Sequence, residues 1–383
     1  MSINEQVKNI TQNDIIYVLN ESIHTSDIQG NNKISGDIVI PRSIQHDGKE
    51  YTVTNILESA FERSYLLKSI KFPPDSGLLS IHNDAFRYSS ISSINIPPHV
   101  TYIGKYAFIW CEKLRNFEIP DNTDLQIIDE YAFSRSSLRR IYIPSDISAL
   151  KNGWCAYTPK LAEVNIIQRE TENIKYFDNK NFIVGKTDLS SEEYDILVYA
   201  RRDLVQVNIP PFIKEIGSFA FVYCSFEKIF IPSQVTIIGD GSFAMNNKLK
   251  VVDILENSEL RIIKRYAFSF TSLKRIFIPK KVTEIGEYCF AFSALEKVDF
   301  DDNSLIEKIG KVAFSCSIKS FFVPRKLKII SASCLRNIQN LLIEIDENSE
   351  IESLDSFISE LSSTKLLIMA PKKLIDSLSN KNI

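Results

Sequence analysis

One phrase recurs along this chain: SSINIPPHVTYIGKYAF (92–108), EKIFIPSQVTIIGDGSF (227–243) and KRIFIPKKVTEIGEYCF (274–290). A unit this short cannot bury both of its faces, so its copies must stack and share a continuous core. Aligned on the aromatic that follows Ala, Ser or Cys, the copies place Phe61, Phe86, Phe108, Phe133, Tyr157, Phe221, Phe243, Phe268, Phe290 and Phe314 in one column, with Leu335 as a degenerate last member. The spacings run 25, 22, 25, 24, 64, 22, 25, 22, 24 and 21 residues. The repeat therefore predicts a β-rich solenoid, and 383 residues need not mean several globular domains.

Each copy reads in three parts. A strand such as LKSIKFP (67–73), LRRIYIP (138–144) or LKRIFIP (273–279) carries apolar residues at its first, fourth and sixth positions. The last two share a face at period two. Proline, with no N–H to offer a ladder, is expected to end the strand at Pro73, Pro97, Pro120, Pro144, Pro210, Pro232, Pro279 and Pro324. A second apolar segment, VTYIG, VTIIG or VTEIG, then reaches Gly104, Gly239 or Gly286, where glycine lets the backbone bend. The Ala-Phe segment closes the coil, and the longer copies absorb their extra residues in polar turns such as PDNTDLQ (120–126), ENSELR (256–261) and DDNSLIE (301–307). Equivalent strands are expected to pair side by side in one parallel sheet. The organisation that follows is an N-terminal cap (1–35), a first repeat block (36–166), an irregular hairpin-like insertion (167–203), a second block (204–345) and a C-terminal cap (346–383).

Composition closes off several functions. A net charge of -3 gives no electrostatic case for nucleic acid. No run approaches the roughly 18 apolar residues of a membrane span, and the N-terminal segment lacks a basic region followed by an apolar one. Six cysteines show no metal-ligand spacing, and His24, His46, His82 and His99 fall at unrelated places in the repeat. Nucleotide-binding, zinc-protease and serine-hydrolase motifs are absent, so no cofactor, metal or catalytic residue is expected.

The unit L-x-x-I-x-I-P-x-x-V-x-x-I-G-x-x-A-F, opened by GDIVIPRSIQHDGKEYTVTNILESAF (36–61), resembles the BspA-like (Treponema pallidum type) leucine-rich-repeat proteins over about residues 36–343. The resemblance implies a right-handed leucine-rich-repeat superhelix with a parallel concave sheet, capped at both ends. It also implies a non-enzymatic surface antigen or adhesin whose partner is a protein, such as a host extracellular-matrix or cell-surface protein. Cell-surface or secreted placement comes from the family; the absence of a signal peptide and of a membrane span points instead to a cytoplasmic scaffold.

Binding residues are sought at the third and fifth strand positions, which point away from the core. The fifth positions read Lys71, Asn95, Glu118, Tyr142, Asn165, Asn208, Phe230, Asp253, Phe277, Asp299 and Phe322. Among the third positions are Lys228, Arg275 and Lys297. Large rings interleaved with charge suit a protein contact, because rigid aromatics bury area at low entropic cost. The expected partner-binding set is Tyr142, Lys228, Phe230, Arg275, Phe277, Lys297 and Phe322. Alternatively, the rings pack on one another along the sheet, or stand there for β-propensity alone.

Overall fold

The third-to-sixth positions of each repeat form a short strand because alternation lets two β-branched residues point inward while their neighbours stay in water. In Lys228–Ile231, Ile229 and Ile231 are buried and Lys228 and Phe230 are exposed; Arg275–Ile278 buries Ile276 and Ile278 in the same way. The computed structural model describes residues 8–330, 335, 341–345, 348–350 and 366–369, and among these there is no helix. Most of the expected C-terminal cap (346–383) lies outside the described residues. The chain divides into two compact units, Met1–Lys175 and Tyr176–Ile383.

Every coil has three walls around a column of phenylalanine rings. In unit 2 the rings of Phe221, Phe243, Phe268, Phe290 and Phe314 stack in order with centroids 5.2, 5.1, 5.5 and 5.3 Å apart, and neighbouring planes diverge by 3–6°. In unit 1 Phe61, Phe86, Phe108 and Phe133 stack at 5.2, 4.9 and 5.4 Å. All nine are 0% exposed, as the repeat predicts.

Which wall carries the continuous sheet differs from expectation. The unbroken parallel ladder is built from two-residue strands drawn from the second apolar segment. In unit 2 it runs Glu215–Ile216, Ile237–Ile238, Ile262–Ile263, Glu284–Ile285, Lys308–Ile309 and Ile329–Ile330. It starts from an antiparallel hairpin of Phe182–Gly185 and Ile196–Ala200, whose second strand pairs parallel with Glu215–Ile216. Unit 1 repeats the scheme. Lys8–Gln12, Ile15–Asn20 and Thr25–Gly30 are antiparallel, and Thr25–Gly30 pairs parallel with Lys49–Ile56, which leads into Ser80–Ile81, Tyr102–Ile103, Ile127–Ile128 and Ala149–Leu150.

The strands before the prolines form shorter ladders instead of one sheet. Gly36–Val39, Leu67–Lys71, Ser93–Asn95 and Asn116–Glu118 pair, and then Arg140–Pro144 pairs with Glu163–Ile167. In unit 2, Lys228–Ile231 pairs with Val251–Ile254, Arg275–Ile278 with Lys297–Phe300, and Ser320–Val323 with Leu341–Ile345, which pairs with Leu366–Met369. The breaks follow Glu118, Ile254 and Phe300, where the long polar turns begin. These turns bond back to the preceding coil, through Asp124 N–H to Pro98 O (2.7 Å), Glu259 N–H to Ser233 O (2.8 Å) and Leu305 N–H to Lys280 O (2.9 Å).

Pro144 is the last residue of its strand, as expected, with the Ser145 N–H to Ile167 O bond (2.8 Å) just beyond it. Two local expectations are corrected. Gly104, Gly239 and Gly286 do not have positive φ. Glycine is needed at those places by close approach, since a Cβ on Gly286 would stand 2.5 Å from the Arg265 backbone nitrogen. Tyr157, finally, is not in the ring column. The N–H of each column Phe donates to the residue before the next column member, as Phe108 does to Ala132, and Phe133 donates to Trp154 (2.8 Å). Cys155 therefore holds the column position, buried at 4%, and Tyr157 lies two residues beyond it.

Candidate functional site

The strip expected to bind lies largely in unit 2, on the wall of interrupted ladders. Strand pairing puts Phe230 opposite Asp253, Phe277 opposite Asp299, Arg275 opposite Lys297 and Phe322 opposite Glu344. Phe230 is 44% exposed and Phe322 45%, while Phe277 is half-buried. Among the described residues none of the three makes a ring–ring contact. Tyr142, 37% exposed, belongs to unit 1, where it stands opposite Asn165 beside the Arg140 and Glu163 pair.

Charge on this wall is tied between neighbouring strands and, for Lys297 and Asp299, within one. Lys228 Nζ is 2.6 Å from Asp253 Oδ2. Asp299 takes two partners, Lys297 at 2.9 Å and the Arg275 Nε. Burial pushes the Asp299 carboxyl up, but hydrogen bonds from Lys297 and Arg275 outweigh it and hold the group below the usual carboxylate range. The aspartates thus act as fixed separators between rings and as anchors for the cations. Exposed pairs of this kind contribute about 0.2–1 kcal/mol each, so their larger effect is to limit side-chain freedom.

The third wall holds residues that the strand pattern does not reveal. Its turns are joined coil to coil by backbone hydrogen bonds, such as Phe243 N–H to Ala267 O (2.8 Å) and Phe270 N–H to Ala291 O (3.1 Å). The residues two before and two after a column Phe adopt left-handed φ, except that Cys316 after Phe314 does not: Tyr106 and Trp110 around Phe108, Tyr266 and Phe270 around Phe268, Tyr288 and Phe292 around Phe290. Their rings form two further rows, with Tyr106–Tyr131 at 5.7 Å, Tyr266–Tyr288 at 5.0 Å, Tyr88–Trp110 at 5.8 Å and Phe270–Phe292 at 4.8 Å. Phe292 is 61% exposed. The signal was present in KYAFIW (105–110), RYAFSF (265–270) and EYCFAF (287–292), where aromatics sit at both flanks of the column residue.

The chain matches the family profile of the BspA type leucine-rich repeat region in six copies, over residues 49–183, 198–296 and 255–365. Two solved structures share its fold. The pneumococcal vaccine antigen PcpA is 19% identical with a TM-score of 0.68, over 95% of this chain and 99% of that one. A leucine-rich cell surface protein of Faecalibacterium prausnitzii is 20% identical with a TM-score of 0.54, over 92% of this chain and 97% of that one. None of the curated proteins matches the chain by sequence.

Proposed function

The chain belongs to the BspA-type leucine-rich-repeat family, and from that premise we propose that it is a non-catalytic protein-binding module displayed at a cell surface. The contact strip is the wall carrying Lys228, Phe230, Arg275, Phe277, Lys297 and Phe322, with Tyr142 as a contact in unit 1. The observation that carries this reading is the exposure of Phe230 and Phe322 beside charges already tied to Asp253 and Asp299. Such a surface is ordered before a partner arrives, so rings can be covered at little further entropic cost. Surface placement draws support from the two fold relatives, one a vaccine antigen and the other a cell surface protein. A passive mechanism follows, in which side chains at fixed coil spacing contribute many weak contacts over a large area.

The test is a panel of purified extracellular-matrix and host cell-surface proteins, measured by biolayer interferometry against the native chain and a Phe230→Ser, Phe277→Ser, Phe322→Ser triple variant. Loss of about tenfold or more in affinity, with an unchanged thermal transition, is expected. Equal binding by a folded triple variant removes the strip from the interface. Surface biotinylation of intact cells tests the placement independently.

A further inference from the structure

On the third wall of unit 1, the outward residues two places after the column run Arg63, Tyr88, Trp110, Arg135 and Tyr157, all with left-handed φ. Arg135 takes the place of a ring in this row. Its guanidinium carbon lies 4.3 Å from the Trp110 ring centroid and 4.8 Å from that of Tyr157, rings supplied by the coils before and after it. Aromatic faces attract a cation without neutralising it, and a planar guanidinium held over two of them keeps its N–H fork at the rim. Other arginines of this wall are answered by carboxylates: Arg63 Nε stands 3.7 Å from Glu62 Oε1, and Arg87 Nη1 3.1 Å from Asp84 Oδ1. Among the described residues the exposed Arg135 side chain makes neither an ion pair nor a hydrogen bond.

We propose that Trp110, Arg135 and Tyr157 form a second recognition site, on a different wall from the strip described above, for an acidic peptide segment. A carboxylate of the peptide takes the Arg135 fork in a bidentate contact, and an apolar or aromatic neighbour packs on the half-buried edges of Trp110 and Tyr157. Two features favour a peptide over a sulfated polysaccharide. A polyanion gains from consecutive free cations, whereas Arg135 has a ring on either side along its row, and Arg63 and Arg87 already face Glu62 and Asp84. The stacked guanidinium is also ordered beforehand, which suits one directional contact rather than diffuse charge attraction.

The probe is a fluorescein-labelled Glu–Tyr copolymer, titrated by polarisation against the full chain, with polyglutamate and heparin as comparators. The copolymer is expected to bind saturably and more tightly than either comparator. Arg135→Gln is expected to weaken it about tenfold or more, and Arg135→Lys several-fold, because an ammonium keeps the charge but loses the fork. Arg115→Gln, which removes the same charge elsewhere on unit 1, leaves binding unchanged. The proposal is overturned by absence of saturable copolymer binding, by heparin binding as tightly as the copolymer, by full affinity in Arg135→Lys, or by equal losses at Arg115 and Arg135. The thermal transition of each variant reports folding separately from affinity.

Discussion

Phe268 is enclosed at 0% exposure between the rings of Phe243 and Phe290, while Phe292, two residues beyond the next column member, is 61% exposed. Truncation of the first opens a cavity that a stack fixed on both sides cannot collapse. Phe268→Ala is therefore expected to cost about 3–5 kcal/mol in urea unfolding, and Phe292→Ala under about 1 kcal/mol. Similar losses at the two sites would mean that the ring column is not the stabilising core. Most of the column was legible in the sequence, since nothing else recurs so regularly. Tyr157 has the aromatic identity of a column member, but membership of the column is decided by the Phe133 to Trp154 backbone bond, which leaves the position to Cys155.

At the scale of the element, the Ala-Phe turn is the least ordinary part of the coil. In several coils it places bulky residues at left-handed φ twice, at a cost on the order of 1–2 kcal/mol per residue, and offsets this through cross-coil hydrogen bonds and ring stacking. Tyr288 shows both sides of that balance, with φ 55°, an N–H to Lys311 O bond of 2.8 Å, and a ring 5.0 Å from Tyr266. Tyr288→Pro removes the donor and cannot adopt the angle, so a loss of about 3 kcal/mol or more is expected, against about 1 kcal/mol or less for Tyr288→Gly. Calorimetry on both variants checks this, and comparable transitions for the two would refute the strained turn. The strands before the prolines could be read from alternation over four or more residues. A two-residue strand carries no period of its own, so the continuous ladder is not legible without the neighbouring coils that pair with it.

Across the whole molecule, stability should depend on pH at both ends. Asp47, Asp203, Glu259 and Asp299 are held below the ordinary carboxylate range by basic partners. A depressed carboxyl stabilises the fold above its unfolded value of about 4 and loses that effect as pH falls through the folded one. Burial pushes the thiols of Cys111 and Cys316 up to about 12 and that of Cys224 to about 11. An unfolded thiol releases its proton near about 8.5, so the fold loses stability as pH rises above that value. Urea midpoints should be level from about pH 5 to 8 and fall on either side; a midpoint unchanged between about pH 8 and 10 would exclude the buried thiols as the cause. The repeat alone determined that the chain stacks as a β solenoid and which apolar residues face inward, because period and alternation are properties of order along the chain. Only the tertiary structure decided which wall carries the unbroken ladder, where the other wall breaks, that Cys155 ends the ring column, and that Arg135 lies between Trp110 and Tyr157. Those outcomes depend on register between coils more than twenty residues apart, which only the closed coil brings into contact.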